Sequence, residues 1–433
     1  MNLLYKNPLR TIVIFGALLR IIILVFYQHI STFPDSDGYR ELSTLLTNLN
    51  LSGYFGYRSP GYPLLLSLAN GNFYIVIFLQ FLIGVASMVV LYKNMLLLKF
   101  SSKNALFATL VMNSFLHVAF YETCILTESL TLFFMTFVFN VMLNNYFNNK
   151  SIKTDLLMAF LLAYLVFIKP FYIFLPILIY GFFILKNFNA GIFRSSKIII
   201  LFFPIMIFLG WSYVNKINTG YFVPTTFYGY NLSQNCVYFA EKTSPKYEEI
   251  SKIYVRHREE KISQGKDVSM SIWDAYNDIQ EATGLSFVDL SFELSQYSKE
   301  LIKNNPADYL KQVTVSWYDF WRTDIYWNET QFKVKKSAPA FIWVWDIQHY
   351  LLRFFKIAFL FNILLLLFSF MKNRTFSSEI IITTIIIVTS LLQAFSTYGT
   401  NSRFSYPFES LMIVVVLLQF KKLWLDFRTK KIF

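Results

Sequence analysis

TIVIFGALLRIIILVFYQHI, residues 11–30, is an apolar run interrupted by one charge, Arg20. It is long enough to cross about 30 Å of hydrocarbon, which takes roughly 20 residues of helix. In lipid a segment must satisfy its own backbone hydrogen bonds, so the run is read as helix and not as open sheet. Lys6 and Arg10 precede it as they would in a secretory signal, but no small-residue cleavage site follows before Phe33. It is therefore read as a retained first helix. Arg20 is read as snorkelling or paired within a bundle.

Working outward, similar runs fall near Phe73 to Leu98, Asn104 to Tyr121, Leu130 to Phe147, Asp155 to Ile168 and Phe171 to Leu185. They continue near Ile198 to Val214, Tyr350 to Phe370, Glu379 to Phe395 and Tyr406 to Phe420, which makes about ten spans. Asp155 to Ile168 is short, and with Lys169-Pro170 beside the next run it reads either as its own span or as half of a broken hairpin. The composition agrees. Of 433 residues 55% are hydrophobic, 19% aromatic and only 15% charged, and the mean hydropathy is +0.45. A soluble domain is excluded.

The net charge of +13 is a topological signal. Lys93, Lys99, Lys103, Lys150, Lys153, Lys186, Arg194, Lys197, Lys372, Arg374 and the tail KKLWLDFRTKKIF gather in alternate loops. Positively charged loops stay cytoplasmic, which places both termini inside an inner or plasma membrane and the remaining loops outside. The long segment 214–345 carries nearly equal charges of both signs, so no nucleic-acid partner is expected, and the basic tail rests on anionic lipid. Cys124 and Cys236 both fall outside and are either free or paired with each other. His29, His117, His257 and His349 lack the spacing of a zinc site.

The first outer loop, 31–72, contains FPDSDGYRELSTLLTNLNLSGYFGYRSPGYP, residues 33–63. Tyr39, Leu42, Leu45, Leu46 and Leu49 recur at helical spacing, Asp35 or Ser36 would cap the helix, and Gly53 would end it. The reading is an amphipathic helix in the interface. The segment 214–345 is large enough for a folded outer domain, with helical charge patterns at Ser251 to Ile262 and Phe287 to Asn304 and aromatic runs at Trp317 to Trp327 and Phe341 to Trp345. The expected plan is thus a membrane half (1–213), an outer domain (214–345) and C-terminal spans with the tail (346–433). No internal repeat supports an inverted-repeat transporter.

The short outer loops collect acids and bases: Asp35, Asp37, Arg40, Glu41 and Arg58, then Glu122 and Glu128, then Lys169, then Arg403 with Glu409. Charged groups beside a bilayer call for solvent, a ligand or catalysis. A hydroxyl that attacks as a nucleophile needs a carboxylate to take its proton. A departing phosphate needs fixed cations, and arginine grips phosphate with two parallel hydrogen bonds. Helix capping is the competing explanation for Asp35 and Asp37, a helix-terminal charge for Glu128, turn shaping for the RSPGYP segment and interfacial anchoring for Lys169.

PDSDGYRELSTLL, YRSPGYPLLLSLA, LTESLTLFFMTF, IKPFYIFLPIL and NSRFSYPFESLMIVV, in that order and on one side, resemble the GT-C superfamily of polytopic glycosyltransferases. The similarity is to the branch of protein O-mannosyltransferases and lipid A aminoarabinose transferases. It covers Thr11 to Tyr213 and Arg403 to Pro407, and omits the long segment. The resemblance implies an all-α GT-C bundle that moves a sugar from a polyprenyl-phosphate donor to a glycan, lipid or protein acceptor at the outer face, with inversion. It implies Asp35 as the base, although the family's adjacent second acid is Ser36 here and the next acid is Asp37. Arg58, Tyr62, Glu128, Lys169 and Arg403 are the expected substrate-binding residues. No cofactor is required, and Asp35, Asp37 and Glu128 are the candidates for a magnesium or manganese site. Two other readings stay open: a polymerase or ligase gripping phosphate with Arg256, Arg258 or Arg322, and a lipid-linked sugar transporter or flippase.

Overall fold

The computed structural model describes residues 5–188, 195–399 and 401–430. Arg194 and the last three residues of the basic tail lie outside them. The chain is 77% helix, and among the described residues no strand forms beyond one bridge between Ser31 and Cys124. The membrane half comprises α1 (Pro8–Phe26), α2 (Pro34–Thr47), α3 (Pro63–Leu68), α4 (Phe73–Leu97), α5 (Ser102–Asn113), α6 (Leu116–Tyr121), α7 (Glu128–Leu143), α8 (Ile152–Ile168), α9 (Phe174–Lys186) and α10 (Ile199–Thr219). The long segment folds into α11 (Tyr228–Gln234), α12 (Glu248–Ser263), α13 (Ser271–Thr283), α14 (Phe287–Asn304) and α15 (Pro306–Phe320). The chain closes with α16 (Ala338–Asn373), α17 (Ser378–Ser396), α18 (Ser402–Ser405) and α19 (Glu409–Lys430).

Among the described residues five helices, α1, α4, α10, α16 and α17, are long and apolar enough to cross a membrane; α7 and α9 are apolar but shorter. Leu9, Val13, Ile14, Leu18, Ile21 and Val25 of α1 point away from the protein. Leaving such side chains in water costs roughly 1.5–3 kcal/mol each, so lipid is the solvent this face fits. The chain is a helical integral-membrane protein.

Every expected span falls on helix, with two changes. The run from Asn104 to Tyr121 is broken into α5 and α6 at Ser114 and Phe115. Helix α16 starts at Ala338 and not near Tyr350, so the aromatic run that closes the outer segment belongs to it. Phe341 packs on Phe120 and Trp345 on His117, and burial against the bundle carries the helix upward. The break between α8 and α9 is real: Lys169 is extended and Pro170 opens a short 3-10 turn.

The segment 214–345 has its own core around Tyr230, Tyr254, Ile272, Leu290, Leu294 and Tyr297, built where α11 crosses α14 and α12 lies on α13. It is tied to the bundle. Helix α15 lies along α17, with Trp317 Nε1 donating to Ser390 Oγ at 3.0 Å. Trp321 packs on Phe320 and Phe359 and Trp327 on Phe120 and Phe332. These tryptophans are packed into protein.

Candidate active site

Helix α2 carries the first acid. Its apolar face buries Tyr39 and Leu42, while Leu49 lies past its end, 94% exposed. Ser36 does the capping: the Phe33 amide donates to Ser36 Oγ at 2.9 Å, and Ser36 Oγ donates to the Ile125 carbonyl at 2.9 Å. With the Ser31–Cys124 bridge, this pins the start of α2 to the strand-like residues before Glu128. Asp35 is left free for other partners.

Those partners come from far along the chain. Asp35 Oδ1 accepts from Arg58 Nη2 at 2.8 Å, and Oδ2 accepts from Arg403 Nη1 at 2.8 Å. Arg403 Nε reaches Glu128 Oε1 at 2.8 Å, and Lys169 Nζ reaches the same oxygen at 2.9 Å. The result is a relay, Arg58, Asp35, Arg403, Glu128, Lys169. Glu128 is fully buried, whereas 29% of the Asp35 side chain is exposed, so the relay has a closed end and an open end. Three cations against two carboxylates leave one positive charge.

Local packing sets each cation. The Arg58 guanidinium lies over the rings of Tyr39, at 4.9 Å, and Phe227, at 4.6 Å. Cation–π contacts of this kind are worth more when desolvated, and Phe227 brings the outer segment into the site. Gly38 makes the approach possible: a Cβ there would come within 2.5 Å of Tyr57 Cε2 and 2.9 Å of Arg58 Nε. The RSPGYP turn meets the end of α8 backbone to backbone, Gly61 N donating to the Phe167 carbonyl at 2.9 Å. A Cβ on Gly61 would sit 2.6 Å from Ile168 N. Gly61→Ala should therefore push Arg58 and Lys169 apart and destabilise the protein by about 1–3 kcal/mol, read as a lowered Tm with weakened anion binding.

Burial alone would raise the Asp35 carboxyl, but the Arg58 and Arg403 guanidinium groups outweigh it and hold the carboxyl well below the usual carboxylate range. Burial pushes the Tyr39 phenol up to about 12, so it stays neutral. A carboxyl depressed in the folded state adds stability above its unfolded value, about 3.9, and that stability fades as pH falls toward the folded value. The Tm gap between wild type and Asp35→Asn should accordingly stay level above about pH 5 and close under more acid conditions. A gap that closed near neutral pH would contradict this.

Asp37 does not join the relay. Its side chain is 80% exposed and meets Arg40 Nη2 at 3.3 Å. Residues two apart on a helix do not share a face, so once α2 turns Asp35 inward Asp37 faces out. Tyr62 is fully buried and donates to Gln80 Oε1 at 2.9 Å, supporting the site from the core. Glu122 lies apart, paired inside the bundle with Arg20, whose Nε donates to it at 2.8 Å. The three candidates for a divalent ion are not brought together. Asp35 and Glu128 are each held by two cations, Asp37 points elsewhere, and among the described residues no three His, Cys, Asp or Glu side chains gather as a ligand set.

Arg256 pairs with Asp278, Arg258 with Glu241 and Glu259, and Arg322 with Asp319, all within the outer segment. Cys124 and Cys236 are free and buried. Sequence reading passed over Phe227 and Tyr326; the Tyr326 ring lies edge-on to Phe33 and tilted against Tyr121. No family model matches the chain, and no curated protein or solved structure does. The GT-C resemblance stands on the five motifs.

Proposed function

We propose that the chain is a membrane glycosyltransferase of GT-C type, with about ten transmembrane helices, that transfers a sugar from a polyprenyl-phosphate donor to a hydroxyl acceptor at the outer face. The observation that carries this reading is the relay: a partly open carboxylate, Asp35, held by two arginines contributed from residues 58 and 403.

The chemistry follows from what such a cluster can do. The donor's phosphodiester carries one negative charge and matches the single positive excess of the relay, which favours a monophosphate carrier over a diphosphate. Arg58 and Arg403 grip the phosphate, and Lys169 adds charge behind them. The acceptor oxygen attacks the anomeric carbon, the bond from that carbon to the phosphate oxygen breaks, and the electron pair leaves on the carrier phosphate. The acceptor's proton passes to Asp35. One displacement inverts the anomeric centre.

Clamped between two guanidinium groups, Asp35 is a weak base. A phosphate that draws Arg58 and Arg403 to itself returns proton affinity to the carboxylate, so the base is armed only with donor in place. Glu128, paired with Lys169 and Arg403 in full burial, fixes the cations and takes no proton.

The test is incubation of the purified protein in detergent with a panel of polyprenyl-phosphate sugars, measuring released carrier. Release that requires Asp35 supports the reading. Undiminished release by Asp35→Asn removes Asp35 from its role, and absence of release in detergent together with transbilayer movement of the donor in proteoliposomes makes the protein a flippase. Arg256→Ala should leave release within about twofold of wild type, because exposed ion pairs contribute little; a large loss would favour the polymerase or ligase reading.

A further inference from the structure

Arg403 sits on α18, a helix of four residues, and so short an element cannot hold its own geometry. Its anchors are visible. At one end Ser402 Oγ donates to Asp324 Oδ2 at 2.5 Å. At the other, Ser405 Oγ lies 3.0 Å from Lys356 Nζ, which also donates to the Arg322 carbonyl at 2.6 Å and to Glu409 Oε1 at 2.6 Å. Glu409 is held in turn by His117 Nε2 at 2.6 Å. Lys356 is 3% exposed, on α16, one of the helices long and apolar enough to span a membrane.

A buried ammonium in such a helix is costly, and an apolar side chain of similar size would often pack as stably. An apolar side chain cannot do what this one does. It ties the returning end of the outer segment, the Arg403 helix and α19 together at a single nitrogen. We infer that Lys356 is a positioning residue that sets Arg403 for its anion from inside the bundle, through Ser405 and Glu409. Any motion of the outer segment at Arg322 and Asp324 then reaches Arg403 by two short routes. The inference deepens the reading of the site as a phosphate grip and rests on it for the identity of the anion.

Lys356→Met is the informative variant. It keeps length and apolar volume and leaves Glu409 with His117; these two line a cavity of about 30 Å³ with Asn113 and Ser87, room for a water to replace the partner Glu409 loses. Ser405→Ala removes the hydroxyl's contact with Lys356 together with its bond to the Ser402 carbonyl at 2.9 Å, and serves if the first variant does not fold.

The purified full chain in detergent is measured in two ways. Without ligand, amide exchange over residues 401–406 should quicken about tenfold in Lys356→Met, the loss of a hydrogen bond to a charged group, while exchange in α4 and α7 stays as in wild type. With farnesyl phosphate as probe, binding should weaken about tenfold. In an Arg403→Ala background the same substitution should cost nothing further, an outcome that a general loss of stability does not produce. Unchanged exchange over 401–406, wild-type affinity, or an equal loss with and without Arg403 each overturns the inference. If wild type ignores farnesyl phosphate, the donor reading fails, and the exchange measurement alone still decides whether Lys356 fixes the Arg403 helix.

Discussion

Asp35→Asn should reduce carrier release by roughly 10²–10⁴-fold, the range expected for loss of a general base. The substitution keeps the shape of the side chain but puts an amide NH2 where one carboxylate oxygen accepted from an arginine, while the start of α2 stays capped by Ser36. The charge balance moves from one positive excess to two. Binding of a phosphate probe should therefore hold or tighten while turnover collapses, and that split distinguishes a base from a structural acid. Measured kcat and donor affinity in the same preparation give the answer; parallel loss of both would mean that Asp35 merely positions the arginines.

Arg403→Ala should be the most damaging change to the site. Arg403 bridges both carboxylates, and its removal leaves fully buried Glu128 with Lys169 alone and Asp35 with Arg58 alone. Breaking a buried ion pair by removing one partner costs about 3–5 kcal/mol. The expected outcome is a lowered Tm together with phosphate-probe binding weakened to the level that Arg58 and Lys169 still support. Glu128→Gln in the same background should recover part of the Tm, because the uncompensated buried charge is then gone, and should not recover binding. Full recovery of binding would show that Arg403 acts only as the partner of Glu128.

Particular residues show where sequence reading reached and where it stopped. Asp35, Arg58, Glu128, Lys169 and Arg403 were all legible as charged groups beside apolar runs, because a charge next to hydrocarbon needs a reason. Asp37 was not separable from Asp35 until the phase of α2 was known; two positions apart on a helix puts them on different faces. Tyr62 stands in the same turn as Arg58 yet points into the core toward Gln80, and nothing local distinguishes those directions. Lys356 carried a signal that was overlooked, a lysine inside the apolar run of α16. Phe227 carried none, since its value lies in lying over Arg58 from another segment.

That this chain is helical and fits lipid can be read from its apolar runs alone: about 20 residues match a helical span, and in hydrocarbon each such run bonds its own backbone. Charge asymmetry between loops sets the expected orientation. Which charges meet is settled by the packing of the bundle. Asp35 and Arg403 are separated by 368 positions, and their contact depends on the Ser36 cap, the close approach at Gly61 and the anchoring of a four-residue helix. Ion pairs form where packing delivers their groups within a few ångströms, and packing is a property of the whole bundle.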